Sequence, residues 1–326
     1  MKSRILLISS IILLLLSAFL SLVSGAASIP LSDLVNAALA GPESVAGYVF
    51  WYSRLPRTVA CIAAGFALSI SGAVIQSVLA NSLAAPGIIG VNSGAGFAVT
   101  LATALGAVSG WMISVSAFLG AMVTSLAIMV ISRKTRASRT SVLLAGVSLN
   151  YILGAFSDAV LSLVPQASMT SGDFRVGGFS SISHVKLYPA VIIIALSALA
   201  VFTLSNELEV LSLGDDEART LGLDASLMRV VFLLLASALA GAAVSFAGLL
   251  GFVGLLVPNG IRRLLRGDNR LLLPLSGLGG AVLVTLCDIV SRMMFMPYEL
   301  PVGIMLSLIG GPVFLILVLR RRKGRV

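Results

Sequence analysis

The sequence predicts an all-α membrane protein with ten transmembrane helices. Its 326 residues are 58% hydrophobic and only 11% charged, with a mean hydropathy of +1.07. A soluble domain cannot bury this much apolar surface, so lipid must be the solvent for most of the chain. Backbone polar groups inside a bilayer need internal partners, which leaves helices or a closed β-barrel. The apolar runs at 191–204 and 230–240 are unbroken rather than alternating, which favours helices.

Ten apolar segments are candidate spans, and several approach the ~20 residues that a hydrocarbon core of ~30 Å requires. The third segment is short, and the seventh and eighth adjoin, which places the turn between them near residues 246–249. The first follows Lys2 and Arg4 and also fits a signal peptide, but its length favours a retained helix. The segments cover residues 5–25, 58–79, 93–108, 113–132, 141–164, 188–205, 228–246, 248–265, 272–294 and 303–319.

These segments form one predicted transmembrane domain over residues 1–326, interrupted by a charged insert at 206–227. A division after the fifth segment gives two loosely related halves of five helices, as in transporters that contain inverted repeats. The sequence similarity between the two halves is faint, so the repeat rests on the helix count.

The distribution of basic residues orients the segments across the membrane. With the amino terminus inside, the cytoplasmic segments and span ends hold 17 of the 22 Lys and Arg residues. Basic residues favour the cytoplasmic side, so both termini are predicted to be cytoplasmic. The net charge of +9 reflects this topology rather than nucleic-acid binding, because no aromatic side chains interleave with the basic clusters. The five basic residues outside are Arg54, Arg57, Arg175, Lys186 and Arg292.

The chain shows no pattern for catalysis, and we predict no metal or cofactor site. The single histidine and the separate Cys61 and Cys287 give neither metal-ligand spacing nor a disulfide framework. Within the spans the acidic residues are Asp158 and Asp288, and Asp288 is spaced to pair with Arg292 one turn later. A proton-coupled transporter usually places ionisable groups inside the membrane, so we expect another protein to supply the driving energy.

The segment Arg54-Leu55-Pro56-Arg57 precedes the second span on the predicted outer side. Its arginines depart from the positive-inside trend. One interpretation is a receptor for carboxylates of an external partner, since arginine binds carboxylates in a bidentate manner. The other interpretation is snorkelling of the long side chains to the lipid interface.

An uncharged loop follows the second span between residues 81 and 94. Its Pro86, Gly87 and Gly90 end one helix and begin another. A solvated turn rarely lacks charge altogether, so the loop either lines a pathway or forms a tightly packed turn. The sequence leaves both interpretations open.

The insert at 206–227 lies on the predicted cytoplasmic side and carries six of the chain's 13 acidic residues. Asp215 to Glu217 suit the first turn of a helix, where the macrodipole favours negative charge, and Gly222 suits its end. We therefore expect a short amphipathic helix along the membrane face that docks a cytoplasmic partner. A solvated loop is the alternative.

These three segments resemble those of the FecCD-type permeases, the membrane subunits of bacterial ABC importers for iron chelates, haem and cobalamin. The resemblance covers nearly the whole chain. It implies the ten-helix fold of type II importer permeases, in a bacterial cell membrane, with no enzymatic activity and no cofactor. The implied partners are a second copy or a paralogous permease, ABC ATPase subunits and an extracytoplasmic substrate-binding protein. Further matching motifs lie at residues 71–76, 143–147, 251–258, 299–303 and 310–314.

The resemblance also assigns roles to individual residues. The family's outer arginines, which receive carboxylates of the binding protein, correspond to Arg54, Arg57 and Arg292. Its cytoplasmic constriction corresponds to Asn81, Leu83, Thr140 and Ser141. Its coupling helix, which sits on the ATPase, corresponds to Leu213, Gly214, Asp215, Asp216, Glu217, Ala218, Leu221 and Gly222. On this assignment, Ala218→Arg is expected to leave the fold intact and to uncouple transport.

Two positions depart from the family's motifs. Ser82 stands where a proline is frequent in the gate turn, and Asn259 stands where a histidine often follows the Val-Pro pair. Ser82 is expected to loosen the turn, and Asn259 removes a titratable group. The competing function is a self-contained secondary transporter of a small solute, and no ligand pattern identifies the substrate.

Overall fold

A computed structural model describes residues 2–25, 29–134, 138–265, 271–296 and 298–323, and these ranges are helical, with no strand. Four basic residues of the charge distribution, Arg136, Arg266, Arg270 and Arg325, lie outside the described residues. A π-helical turn at Phe50–Arg54 joins α3 to α4, and a 3-10 turn at Pro165–Ala167 precedes α8. The α-helices are α1 (Lys2–Val23), α2 (Leu31–Ala40), α3 (Val45–Val49), α4 (Leu55–Val78), α5 (Val91–Ala104), α6 (Gly110–Lys134), α7 (Arg139–Leu163), α8 (Ser168–Val176), α9 (His184–Thr203), α10 (Ser205–Leu213), α11 (Asp215–Thr220), α12 (Ala225–Ala247), α13 (Val253–Leu265), α14 (Leu272–Met293) and α15 (Val302–Lys323).

Seven helical stretches in the described ranges are long and apolar enough to cross a membrane. Each overlaps one of the predicted segments, which confirms an all-α, multi-pass membrane protein. The third, eighth and tenth predicted segments also form helices, α5, α13 and α15, but these are shorter or less apolar, and the count of ten spans stays a prediction. The seven are Arg4–Val23, Val45–Val78, Gly110–Arg133, Arg139–Leu163, His184–Thr203, Ala225–Ala247 and Leu272–Met293.

The eighth segment begins later than predicted. Residues 248–252 form a non-helical connection, and α13 starts only at Val253. Gly248 and Phe252 hold left-handed backbone conformations, with φ of +71° and +65°. Glycine adopts this region freely and phenylalanine rarely, so the sequence gives no signal for a break at Phe252.

The core surrounds α4, which packs against α12, α13 and α14. Glycines bring backbones into direct contact at two of these crossings. A Cβ added at Gly72 would overlap the carbonyl oxygen of Gly254, and one added at Gly65 would overlap that of Gly280. Small residues at crossings are how membrane helices approach closely. By contrast, α1 and α7 lie at the periphery and expose most of their apolar side chains.

Candidate functional site

Asp288, on α14, is the centre of a buried ion-pair cluster at the predicted outer end of the bundle. Its carboxylate accepts a hydrogen bond from Arg57 of α4 (Nη2 to Oδ1, 2.9 Å) and forms an ion pair with Arg292 (Nε to Oδ2, 3.0 Å). Arg57 also donates from Nη1 to Oε2 of Glu299 at 2.7 Å. The predicted pairing of Asp288 with Arg292 is thereby confirmed, and the cluster joins α4, α14 and the segment before α15.

Arg54 and Arg292 bind the end of α1. Nη1 of Arg54 donates to the carbonyl oxygens of Leu22 at 2.9 Å and Val23 at 2.6 Å. Nη1 of Arg292 donates to that of Ser24 at 3.2 Å. The last carbonyls of a helix lack intrahelical partners, and the helix dipole favours a cation there. These bonds fasten the end of α1 to the π-helical turn and to α14.

The three predicted docking arginines therefore converge at one end of the bundle, but two of them are deeply buried. Arg54 and Arg292 are 3% exposed, whereas the side chain of Arg57 is 12% exposed. Snorkelling to the lipid interface, the alternative given for Arg54 and Arg57, is wrong for Arg54, because its buried guanidinium group bonds the end of α1. Three guanidinium groups and the carboxylates of Asp288 and Glu299 leave the cluster with one net positive charge.

The uncharged loop after α4 is a packed turn with an exposed tip. Oδ1 of Asn81 accepts a hydrogen bond from the N–H of Leu83 at 2.9 Å, a side-chain turn typical of asparagine. Ala80 before it adopts a φ of +45°. Ala84 and Ile89 are buried, while Leu83 is exposed. The loop is thus packed against the bundle, with Leu83 as its exposed large apolar side chain, and its predicted place along a pathway stays a prediction.

Asn259 of α13 holds this turn in place. Its Nδ2 donates to the carbonyl oxygen of Ser82 at 2.7 Å and to that of Leu255 at 2.8 Å. Nearby, Nε2 of Gln76 donates to the carbonyl oxygen of Gly254 at 3.1 Å. The two departures from the family's motifs are therefore hydrogen-bonded neighbours, and Asn259 restrains the turn that Ser82 was expected to loosen.

Thr140 and Ser141 lie in the first turn of α7 and are exposed. Ser138 caps this turn, because its Oγ accepts from the N–H of Ser141 at 3.2 Å. Within the described part of the chain, no hydrogen bond connects Thr140 or Ser141 to Asn81 or Leu83. The four predicted gate residues therefore do not form one hydrogen-bonded group within a single chain.

Asn150 of α7 forms hydrogen bonds with the loop that follows α4, and no sequence motif indicated this contact. Its Nδ2 donates to the carbonyl oxygen of Gly87 at 2.8 Å, and its Oδ1 accepts from Oγ of Ser93 at 2.5 Å. Ser93 and Gly87 lie 57 and 63 residues before Asn150 in the sequence, so no local sequence pattern predicts these bonds.

The acidic insert folds into two short helices, α10 and α11, with Gly214 between them. The predicted short helix is confirmed as α11, whose first turn holds three acidic residues. Gly222 follows it with a φ of +82°, as its predicted role as the helix stop requires. The helix α10, which continues from the end of α9, was not predicted.

The exposed surface of α11 differs from the prediction at Ala218. Leu213, Leu221, Asp216 and Glu217 are exposed, as a docking surface requires. Ala218 is 0% exposed and packs inward. The expectation that a bulky charged residue at position 218 leaves the fold intact is therefore wrong, and the exposed leucines are the positions that test docking.

Asp215 fastens α11 to two membrane helices. Its carboxylate accepts from Nη2 of Arg139, at the start of α7, at 2.7 Å and also from Nη2 of Arg229 in α12. Partial burial alone would raise the pKa of Asp215, but the hydrogen bonds and charges of Arg229 and Arg139 hold it below its ordinary value of 3.8. The ion pairs of Asp215 with Arg139 and Arg229 therefore contribute fully to stability above the ordinary pKa of an aspartate. This contribution is lost as the pH falls through the lowered pKa of Asp215.

A bundle of apolar helices with a buried charge cluster at one end and a structured acidic insert defines a multi-pass membrane protein. The chain belongs to the FecCD transport family, whose sequence profile matches residues 13–320.

Three curated relatives match almost the whole chain. The hemin transport system permease protein HmuU of Yersinia pestis is 32% identical over 99% of this chain and 98% of its own length. The iron(3+)-hydroxamate import system permease protein FhuB of Bacillus subtilis is 36% identical over 98% and 84%. The vitamin B12 import system permease protein BtuC of Salmonella typhi is 34% identical over 97% and 95%.

The fold is similar to a solved structure of a metal-chelate type ABC transporter in an inward-facing conformation. The two superpose with a TM-score of 0.86 at 30% identity, over 96% of this chain and 98% of the other.

Proposed function

We propose that this chain is the membrane-spanning permease of a bacterial ABC importer that moves an iron chelate, haem or a cobalamin-like compound inward. A separate ATPase supplies the energy, and an extracytoplasmic binding protein delivers the substrate. The observation that carries the proposal is the family match along residues 13–320, with relatives named for hemin, iron(3+)-hydroxamate and vitamin B12. A secondary transporter has no comparable support.

The permease is a single transmembrane domain over residues 1–326 that crosses the cell membrane ten times, with both termini in the cytoplasm. The charge distribution supports this orientation, since 17 of 22 basic residues then lie inside. The insert at 206–227 lies on the cytoplasmic side, and the cluster around Asp288 lies outside.

A second copy, or a paralogous permease, covers the exposed face of α7 and completes the pathway. The support is the large apolar side chains that α7 leaves open, among them Leu144, Tyr151 and Phe156. In such a dimer, Thr140 and Ser141 of each chain face the pathway beside the turn that carries Leu83. Contacts across the dimer then form the gate that one chain leaves incomplete.

The cluster around Asp288 receives a carboxylate of the binding protein, and Arg57 is its contact point. Arg57 is the most exposed of the three arginines, and its Nη1 already holds a carboxylate, that of Glu299. Glu299 thus occupies the position that an incoming carboxylate takes. Docking exchanges one carboxylate for another, while Asp288 keeps the guanidinium in place through Nε and Nη2.

Two substitutions in this cluster have opposite expected effects on docking. Arg57→Ala is expected to weaken binding-protein affinity about tenfold, because it removes a hydrogen bond between charged groups. Glu299→Gln is expected to strengthen it, because the amide competes less well for Arg57. Titration of the binding protein onto the reconstituted permease at low salt measures both changes.

Arg175→Ala is the matched control, because Arg175 is an exposed arginine on the predicted outer side whose one ion pair among the described residues is with Asp158. It is expected to leave affinity unchanged. Unchanged affinity for Arg57→Ala contradicts docking on the cluster. If Glu299→Gln weakens binding-protein affinity, the proposed replacement of Glu299 by an incoming carboxylate is wrong, but docking on the cluster is not contradicted.

The acidic insert couples the permease to the ATPase. Leu213 and Leu221 offer apolar contacts at the two ends of α11, with the exposed carboxylates of Asp216 and Glu217 between them. The tie from Asp215 to Arg139 and Arg229 transmits a displacement of α11 to α7 and α12. Movement of the ATPase then reaches the helices that border the gate.

Leu221→Asp is expected to uncouple transport without lowering the amount of folded permease, because an exposed side chain contributes little to the fold. Uptake should fall at least about tenfold, the effect of losing ~1.4 kcal/mol of a docking contact. ATP hydrolysis by the reconstituted complex should lose its stimulation by the binding protein. The control is Leu105→Asp, an exposed leucine at the predicted outer end of α5. Normal uptake by the Leu221 variant rules out this docking surface.

A further inference from the structure

A continuous row of four aromatic rings crosses the predicted outer edge of the bundle. This outer aromatic row consists of Tyr48, Tyr52, His184 and Tyr188. Neighbouring ring centroids lie 4.8, 5.9 and 5.3 Å apart, within the range of favourable aromatic pairs. All three tyrosine side chains are exposed, and none of their hydroxyls bonds another group in the described ranges. The phenols are therefore available to something outside the chain.

The row continues an exposed apolar stripe of α9. Ile192, Leu196 and Leu199 follow Tyr188 at intervals of four, four and three residues, which places them on one helix face. All three are exposed. Since α9 is long and apolar enough to cross the membrane, this stripe meets the hydrocarbon core. Tyr188 lies where the stripe reaches the end of the span.

The π-helical turn carries the row from α9 to α3. Within this turn Tyr52 is exposed and stands beside His184, whereas Arg54 is buried and binds the end of α1. The same five residues thus place one aromatic ring outward and one guanidinium inward. Such π-helical segments are rare in proteins, and those that do occur often lie at functional sites.

The short helix α2 adds a second apolar face next to the row. Leu31, Val35 and Leu39 recur every four residues and are exposed. Nε1 of Trp51, in the π-helical turn, donates to the carbonyl oxygen of Ala37 at 3.3 Å, which holds α2 against the turn. A ten-residue helix is too short to span a bilayer, so its apolar face fits an interface instead.

We propose that α2, α3 and the outer aromatic row lie in the headgroup region of the outer leaflet, with phospholipid covering them. Tyrosine rings with an apolar body and a polar tip are enriched at this level of a membrane. The four rings carry no carboxylate, ammonium or guanidinium group, the exposed Asp33 lies on the face of α2 opposite Leu31 and Val35, and the row is continuous with a lipid-facing stripe. The anchor fixes the height of Arg54 and Arg57, which follow Tyr52 by two and five residues.

Nitroxide labels measure the depth of the row directly. Tyr48→Cys, Tyr188→Cys, Ile192→Cys and Leu196→Cys are each labelled in the full-length permease, reconstituted in phosphatidylcholine vesicles. The native Cys61 and Cys287 are buried, so labelling is selective. Collision rates with oxygen and with a water-soluble nickel complex report the depth of each label.

Positions 48 and 188 are expected at the same depth, in the headgroup region. Position 196 is expected deeper by up to ~12 Å, the rise of eight helical residues. Free access of nickel at 48 and 188 overturns the proposal in favour of a water-exposed segment. Protection from both oxygen and nickel overturns it in favour of a protein partner or second copy. Tyr48→Trp and Tyr188→Trp, quenched by brominated lipids above the background of Trp51 and Trp111, test the same depths without a label.

Discussion

Replacing Asp288 with alanine is expected to destabilise the permease by about 3–5 kcal/mol. The carboxylate is fully buried and forms ion pairs with both Arg57 and Arg292. Its removal leaves the buried charge of Arg292 without a carboxylate partner, and it leaves Arg57 with Glu299 alone. Thermal unfolding of the solubilised protein, together with the yield of folded permease, measures the loss.

The matched control is Asp158→Ala, because Asp158 also pairs with an arginine but is 70% exposed, with its partner 3.5 Å away. An exposed pair of this kind contributes ~0–1 kcal/mol. Where Asp288→Ala yields too little folded protein to melt, Asp288→Ala combined with Arg292→Leu is expected to recover part of the yield, because the unpaired charge is then gone. Equal stability of the Asp288 and Asp158 variants would contradict the assigned role.

The sequence predicted those parts of the charged sites that lie within a few residues of each other. The pairing of Asp288 with Arg292 follows from their spacing of four, and α11 follows from three acidic residues before a glycine. The partner of Asp288 on α4, however, is 231 residues away. Asp215 likewise reaches Arg139 across 76 residues. Such pairs depend on how helices pack, which no local pattern records.

The long apolar helices were predicted because each alone exceeds the length that lipid requires. The helices α2, α3 and α8 were not, because they hold only five to ten residues each. The burial of Arg54 was also not predicted, because it depends on a short irregular segment. A π-helical turn, rather than a regular helix, leads into α4 and lets Arg54 point inward beside an exposed Tyr52.

Gly72→Ala is expected to separate α4 from α13 and to abolish most transport. A Cβ at this position would overlap the backbone carbonyl of Gly254, and no side-chain rotation relieves a clash between Cβ and backbone. Overpacking of this kind costs about 1–3 kcal/mol. The shift also stretches the bond from Gln76 to Gly254 and that from Asn259 to Ser82, which hold the turn bearing Leu83. Uptake and thermal unfolding are the two measurements.

Gly260→Ala separates this effect from a general sensitivity of α13 to alanine. Gly260 lies on the same helix as Gly254, but no atom lies within 4 Å of a Cβ added there. Alanine is a better helix former than glycine by about 1 kcal/mol, so the Gly260 variant should be as stable as the native chain or more so. Gly254→Ala, which meets the carbonyl oxygen of Leu68 at 2.6 Å, should resemble Gly72→Ala instead. If all three variants unfold at one temperature and transport equally, backbone contact between α4 and α13 does not position the gate turn.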